Sequence, residues 1–183
     1  LNENKSDLVT EAVDNTVKRV DGKFEYVEGS EGVTLMTGKS AVKIADFIST
    51  DWDGKDASIE LLTEKDEPRG TKEELESIQD VLGSYHTDFG TVVNGRTNNI
   101  KTGASKLDGL VVYPGETISV SEAIGPTTAE NGYYPAGSYE NGTTVETYGG
   151  GICQVSTTLY NAVIRAELEI VTRAAHSMIV SYV

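Results

Sequence analysis

Hydrophobic positions recur along this chain at helical spacing in some segments and form short β-prone runs in others. Residues 41–48 carry hydrophobic side chains at 41, 42, 44, 45, 47 and 48, which predicts a helix with a wide buried face. A stripe at Leu8, Val9, Ala12, Val13 and Val17 predicts a second, shorter helix that starts at Ser6. Three runs predict strands, the first two of them as a hairpin or as neighbours: FEYVEG, GVTLM and ASIELLTE.

The second half of the chain is richer in Gly and Thr, and the pattern predicts β structure around two helices. One helix is predicted over RTNNIKTGASKLDG, and the other from near Cys153 to about Ala166, because hydrophobic residues follow three glycines at intervals of three or four. The remaining runs predict strands and turns: LVVYPGETISV, GPTTAENGYYPAGSYENGTTVE and LEIVTRAAHSMIVSYV. The predicted fold class is therefore α+β, a small N-terminal α+β domain followed by a β-rich domain with a Cys-bearing helix.

Two features near residue 80 predict a domain boundary. Pro68 and Gly70 interrupt regular structure, and Thr71 with Glu74 forms a capping-box pattern for one short helix. Charge also changes here, since residues 1–82 hold 20 acidic and 10 basic side chains and residues 83–183 hold 9 and 5. The predicted domains are residues 1–80 and 81–183.

Composition excludes several classes of function. The chain has 183 residues and a formal charge of −14, and its 15 Lys and Arg are scattered, which argues against binding of nucleic acid. No run of about 18 apolar residues is present, and the first residues lack the basic start and apolar stretch of a signal peptide, so a membrane anchor is expected only upstream. Two His and one Cys provide no zinc cluster, and no phosphate-binding or dinucleotide-binding glycine pattern occurs, so neither metal nor cofactor is expected.

The single cysteine is the strongest candidate for chemistry. A thiol in the first turn of a helix lies among unpaired backbone N–H groups at the positive end of the helix dipole, and both favour the thiolate. Glycines before Cys153 leave room for a substrate carbonyl, and amides around Gly150, Gly151 and Gln154 can form an oxyanion hole. The alternative is that Cys153 only packs in the core as a small hydrophobic residue.

A cysteine nucleophile needs a base, and His176, 23 residues further along, is the better placed of the two histidines. His86 is expected in a solvated loop. Arg96 and Arg173 can bind a substrate carboxylate, unless each pairs with a nearby acid. The residue that orients the imidazole stays open among four candidates: Asp88, Glu130, Asn131 and Gln154.

From about Leu82 to its end the chain resembles the VanW family of bacterial cell-envelope proteins. The resemblance rests on GGGICQVSTTLYNAVIRAELEIVTRAAHS, supported in the same order by LGSYHTDFG, NGRTNNIKTGASKLDGLVVYPGETISV and IGPTTAENGYYPAG. The family usually continues beyond this point into a Pro-rich strand region, so the domain is expected to be truncated. Residues 1–80 more weakly resemble the peptidoglycan-binding module that often precedes VanW.

The resemblance implies a vancomycin-resistance-associated protein that faces the cell wall, at the extracellular side of the membrane of a Gram-positive bacterium. It also implies peptidoglycan stem peptides as partners and L,D-transpeptidase activity through the cysteine of GGGICQ, here Cys153. The HxxxxxxSHGC-like signature of YkuD transpeptidases is absent. Two alternatives remain: a cysteine peptidase or amidase that trims stem peptides, and a non-enzymatic scaffold that binds the wall.

Overall fold

The computed structural model of the protein describes residues 9–140, 142–175, 179, 180 and 182. The chain divides into two compact units, Leu1–Gln79 and Asp80–Val183. Both units contain helices and strands, which confirms the α+β class. None of the helices in the described ranges has the length and apolar character needed to cross a bilayer.

From residue 9 onward, the first unit consists of two antiparallel strand pairs and two helices. Strand β1 pairs with β2, and β3 pairs with β4. Leu35 and Leu75 are its buried hydrophobic residues, and the hydroxyl of the fully buried Ser40 accepts a hydrogen bond of 2.9 Å from the amide of Leu62. The elements are β1 Thr16–Val20, β2 Lys23–Val27, β3 Gly32–Leu35, α1 Thr37–Thr50, β4 Thr63–Asp66 and α2 Lys72–Glu76.

Both predicted helices of residues 37–76 are confirmed. Helix α1 covers the stripe at 41–48, and α2 begins after Thr71, whose side chain accepts from the Glu74 amide while the Glu74 carboxylate accepts from the Thr71 amide. Local patterns determine these helices, because a capping box and a hydrophobic stripe each lie within a few turns of one segment.

The predicted first helix is wrong over its described residues. Residues 9–15 form no helix and instead make isolated bridges, Thr10 to Val33 and Val13 to Ser30. The dipeptide Asp21-Gly22, with φ of 49° and 83°, forms the tight turn that pairs β1 with β2. FEYVEG and GVTLM do not pair with each other as predicted, because β2 pairs with β1 and β3 pairs with β4 in a separate sheet.

The second unit has three helices and one hairpin in its described part, so it contains fewer strands than predicted. Strands β5 and β6 are antiparallel, with Pro135 opposite Tyr148. The buried hydrophobic residues are Ile100, Ile124, Tyr133, Ala136 and Val155. The elements are α3 Gly95–Ser105, α4 Val120–Ile124, β5 Pro135–Glu140, β6 Thr143–Tyr148 and α5 Cys153–Arg165.

The two helices predicted for the second unit, α3 and α5, are confirmed. The strand-turn-strand predicted over residues 110–120 is wrong, because residues 110–119 contain no strand and α4 begins at Val120. The side chain of Ser119 accepts from the Glu122 amide and caps this short helix. Strands predicted after α5 are also missing among the described residues of 166–182.

Candidate functional site

The three glycines between β6 and α5 form a hydrogen-bonded loop that ends at Cys153. The Gly149 amide donates to the Tyr134 carbonyl at 3.2 Å, and the Ile152 amide donates to the Gly149 carbonyl at 3.1 Å. The loop is therefore tied to the hairpin on one side and to the start of α5 on the other.

Each glycine of the loop is required by close packing. A Cβ on Gly150 would lie 2.4 Å from the Ala136 carbonyl oxygen, and one on Gly151, whose φ is +101°, would lie 2.7 Å from Cγ of Arg96. A Cβ on Gly149, whose φ is +81°, would lie 2.7 Å from Thr127. The glycines thus allow chain segments of the protein itself, rather than only a substrate, to approach the loop.

Asn99 of α3 holds the glycine loop by hydrogen bonds of its side chain. Its side chain is fully buried, and Nδ2 donates to the carbonyls of Tyr134, at 2.9 Å, and Gly150, at 3.0 Å. Oδ1 accepts from the Tyr134 amide at 2.8 Å. One buried amide therefore joins α3, the hairpin and the glycine loop.

Cys153 is a free, exposed thiol on the first residue of α5. This exposure contradicts the packing alternative, which requires a buried side chain. The amides of Gln154, Val155 and Ser156 donate to the Gly151 or Ile152 carbonyl, whereas those of Gly151 and Cys153 have no acceptor among the described residues. Two backbone donors at the start of α5 are therefore left without an acceptor in the described part of the chain.

Gln154 points inward and holds three parts of the unit together. Only 1% of it is exposed, and Nε2 donates to Oγ1 of Thr87 at 2.9 Å and to the Asp88 carbonyl at 3.0 Å. Oε1 accepts from Nη2 of Arg96 at 2.5 Å. Since its backbone amide is also engaged, Gln154 is left with a positioning role, and the oxyanion donors are better sought at Gly151 and Cys153.

Arg96 lies beside the glycine loop, against Gly151 and Gln154. Its aliphatic part passes over Gly151, and its guanidinium reaches Gln154. No ion pair joins Arg96 to a carboxylate within the described part of the chain. The expected alternative, pairing of Arg96 with a local acid, is thus not found among the residues that the structure describes.

Tyr182, which sequence reasoning missed, approaches the same helix face. Its hydroxyl forms a side-chain hydrogen bond with Thr157, which follows Cys153 by one turn of α5. Burial raises the pKa of Tyr182, the bond to Thr157 lowers it, a charge on Cys153 raises it and Arg96 lowers it. No local sequence pattern indicates a role for Tyr182, because its hydrogen-bond partner Thr157 is distant along the chain.

Arg173 follows α5 in the chain and contacts a different part of that helix. Its guanidinium stacks over the Tyr160 ring, 4.2 Å from the centroid, and donates to the Tyr160 hydroxyl at 3.2 Å. Tyr160 follows Cys153 by seven residues, so their Cα atoms are separated by about 10 Å along the helix. The structure thus brings Arg96, but not Arg173, to the thiol.

His176 lies outside the described residues, and its role as the base stays a prediction. His86 is exposed. Of the candidates for orienting an imidazole, Asp88 contributes its carbonyl to Gln154, and Asn131 donates to the Pro126 carbonyl. The Glu130 carboxylate accepts from its own backbone amide and from Thr128, and both bonds lower its pKa. In the described ranges, no three His, Cys, Asp or Glu side chains are grouped to hold a metal ion.

Comparison with known proteins identifies the domain that carries this site. Residues 95–183 match the family model "VanW like protein". The chain is 45% identical over 102 residues to the "Uncharacterized protein YoaR" of Bacillus subtilis, covering 56% of this chain and 34% of that protein. It is 29% identical over 96 residues to the "Vancomycin B-type resistance protein VanW" of Enterococcus faecalis, covering 52% of this chain and 35% of that protein.

The chain spans about a third of the length of these curated relatives. No solved structure matches it. The predicted resemblance is confirmed over the matched residues, whereas the peptidoglycan-binding module in front of them stays a prediction. Residues 95–183, which contain the glycine loop, Arg96 and Cys153, are similar to the VanW-like family.

Proposed function

We propose that this VanW-like domain acts on the cell wall of a bacterium, in a role associated with vancomycin resistance. One relative carries that resistance in its name, and the family resemblance implies proteins that face the wall. The same resemblance leads us to propose a location at the extracellular face of the membrane. Peptidoglycan stem peptides are the proposed partners.

Within that role, we propose that Cys153 is the nucleophile of an L,D-transpeptidase. The observation that carries the proposal is the exposed thiol on the first residue of α5, together with the amides of Gly151 and Cys153, which have no acceptor among the described residues. A nucleophile next to backbone donors is the arrangement that acyl transfer requires, because negative charge develops on the carbonyl oxygen.

The reaction proceeds in two steps. The Cys153 thiolate attacks the carbonyl between the third and fourth residues of a stem tetrapeptide, the C–N bond breaks, and the terminal D-amino acid leaves with a proton from the general acid. An amine of a neighbouring stem then attacks the thioester, loses a proton to the base and restores the thiol. His176 is the proposed base and acid in these steps.

Local charge favours an anionic donor. Although the whole chain has a net charge of −14, no acidic side chain occurs between Glu146 and Glu167, a stretch that includes all of α5. Arg96 adds a positive charge beside the loop. A stem peptide that carries carboxylates is therefore attracted to this face more than to the rest of the protein.

The test is incubation of the full chain with muropeptides that bear tetrapeptide stems, followed by mass spectrometry. Crosslinked dimers together with released D-amino acid support the proposal, and both should disappear in Cys153→Ala. Shortened monomers without dimers would instead establish a cysteine peptidase. If the wild-type thiol reacts with alkylating agents but no product forms with any stem, the scaffold function takes the place of catalysis.

A further inference from the structure

We infer that a groove along helix α1 binds a short zwitterionic peptide, with the peptide carboxylate at Lys39 and Lys43 and the peptide ammonium group at Asp46 and Asp51. The groove belongs to the first unit, and the inference is independent of the acyl transfer proposed at Cys153. Three features carry it: the shape of the groove, the order of the charges along it and the direction of the helix dipole.

The groove lies between α1 and the segment 58–60. Its volume is about 540 Å³, which is within the range of sites for small ligands. Its apolar lining consists of Val42, Phe47 and Ile59. Val42 is 61% exposed, although it belongs to the hydrophobic stripe of α1. The Lys43 ammonium donates to the Glu60 carbonyl at 2.7 Å and joins the helix to the segment opposite. The first unit therefore leaves an apolar surface uncovered in a groove of ligand size.

Charged side chains line this groove in two separate groups. Lys39 and Lys43 lie one turn apart in the N-terminal half of α1, whereas Asp46 and Asp51 lie towards its C-terminal end. None of the four takes part in an ion pair within the part of the chain that the structure describes. At a rise of about 1.5 Å per residue, the midpoints of the two groups are about 11 Å apart. Roughly three residues of extended peptide span that distance.

The order of these charges is opposite to the order that the helix dipole favours. Lys39 lies in the first turn of α1 and Asp51 is its C-cap, whereas acids stabilise the N-terminus of a helix and bases its C-terminus. Three other helices have the favourable order, since α2 and α4 carry Glu in the first turn and α5 carries Arg165 in the last. Local rules of this kind are broken at functional sites. A carboxylate bound at Lys39 and an ammonium group bound at Asp51 offset both unfavourable contacts.

These features together specify the chemistry of the ligand. Two free termini of opposite charge, about 11 Å apart and joined by an apolar middle, describe a tripeptide with a hydrophobic central residue. An anionic ligand of the same length meets the like charges of Asp46 and Asp51. A neutral ligand covers Val42 but gains nothing from either charged group.

The test is titration of the full chain with the tripeptide Ala-Leu-Ala, followed by two-dimensional ¹⁵N NMR. We expect chemical-shift changes at α1 and at residues 58–60. Acetylation of the peptide N-terminus and amidation of its C-terminus should each weaken binding at least about threefold, and both together at least about tenfold, because each removes one exposed ion pair. Added salt should weaken binding as well.

Charge-reversing variants separate binding from folding, because they act on the two in opposite directions. Lys39→Glu and Asp51→Lys each remove a binding charge and place a charge of the favourable sign at an end of α1. Each should weaken binding of Ala-Leu-Ala at least about threefold, while the urea midpoint stays the same or rises. The controls are Lys23→Glu and Glu25→Lys, which make the same charge changes at exposed positions of β2 and should keep the wild-type affinity.

Equal binding of the free and the doubly blocked peptide, or equal losses in Lys39→Glu and Lys23→Glu, would overturn the inference. Two further results would assign the groove to another occupant and so contradict it. Shift changes at α1 with the neutral trisaccharide chitotriose, but not with the peptide, indicate a saccharide. Shift changes at α1 on concentration of the protein alone indicate a second copy of the chain. Because the assay does not involve Cys153, its outcome is separate from that of the muropeptide assay.

Discussion

Arg96 and Gln154 are joined by a hydrogen bond of 2.5 Å between Nη2 and Oε1, although 58 residues separate them in the chain. The bond connects α3 to α5 directly beside Cys153. Because the other end of the Gln154 amide is bonded to residues 87 and 88, one buried side chain links a loop and two helices. The position of the proposed substrate-binding arginine therefore depends on a residue that substrate does not reach.

Removal of this link should weaken the stability of the fold. We expect Gln154→Ala to lower the free energy of unfolding by about 3 kcal/mol, because it leaves a cavity and buried groups without partners. Urea unfolding followed by circular dichroism measures this effect. Ser156→Ala, an exposed neighbour, is the control and should change stability by less than about 0.5 kcal/mol.

Gly150→Ala should be strongly destabilising because the added Cβ would lie 2.4 Å from the Ala136 carbonyl oxygen. That contact is with backbone, which cannot rotate away, so we expect a loss of about 3 kcal/mol. Gly103→Ala is the matched control in the same unit. The added Cβ would lie 3.6 Å from Cγ2 of Val155, which is an ordinary van der Waals contact. Because residue 103 lies inside α3, the substitution should stabilise this helix by about 0.5–1 kcal/mol. Equal effects of the two substitutions in urea unfolding would contradict the packing described here.

Asn99→Ala should release the glycine loop from α3. The Gly150 carbonyl and the Tyr134 amide lose their partner, and the Tyr134 carbonyl keeps only the Gly149 amide, so we expect a loss of about 3 kcal/mol. Asn98→Ala, at the next position of α3, removes no side-chain hydrogen bond found among the described residues and should stay within about 0.5 kcal/mol of wild type. Hydrogen exchange provides a second readout, because the amides of Tyr134 and Gly149 should lose protection in Asn99→Ala alone.

The capping box of α2 should make the first unit sensitive to acid. The Glu74 carboxylate accepts from the Thr71 backbone amide at 2.9 Å and from its hydroxyl at 3.0 Å, and these bonds lower the Glu74 pKa below its ordinary value of 4.5. The folded state thus holds this proton more weakly than the unfolded state. The resulting stabilisation is present above pH 4.5 and is lost as the pH falls through the lowered pKa.

The measurement is urea unfolding of the first unit, followed by the fluorescence of Trp52, the single tryptophan of the chain. Between about pH 5 and about pH 3, the urea midpoint of the wild type should fall more steeply than that of Glu74→Gln, which has no titrating group at this position. Parallel curves for the two proteins would mean that the capping carboxylate makes no pH-dependent contribution.

Elements with a local signal could be predicted from the sequence. Helix α1 follows from its hydrophobic stripe, α2 from Thr71 and Glu74, and α5 from the spacing that follows the glycines. The first predicted helix is wrong because the Asp21-Gly22 turn, whose left-handed backbone pairs β1 with β2, places the end of the stripe at residues 8–17 in a strand. A hairpin turn of this kind outweighs a short amphipathic pattern, since it aligns two strands at once.

The candidate site was predictable only in part. Cys153 and its helix follow from the local sequence, and Arg96 was identified as one of few basic residues in its half of the chain. Its contact with Gln154 and the approach of Tyr182 have no sequence signal, because both depend on segments that are distant along the chain. Long-range contacts of single polar residues leave no periodic pattern.

Cys153 and Gln154 are consecutive residues with opposite surroundings, one exposed and the other 1% exposed. The location of the sulfur is consequently set by its neighbour and by the glycine loop, and not by contacts of its own. The Cys153 sulfur can therefore be replaced by oxygen or hydrogen without disturbing Gln154 or the glycine loop. Cys153→Ser and Cys153→Ala are thus suited to capturing an intact donor for crystallography, in a binding surface of unchanged shape.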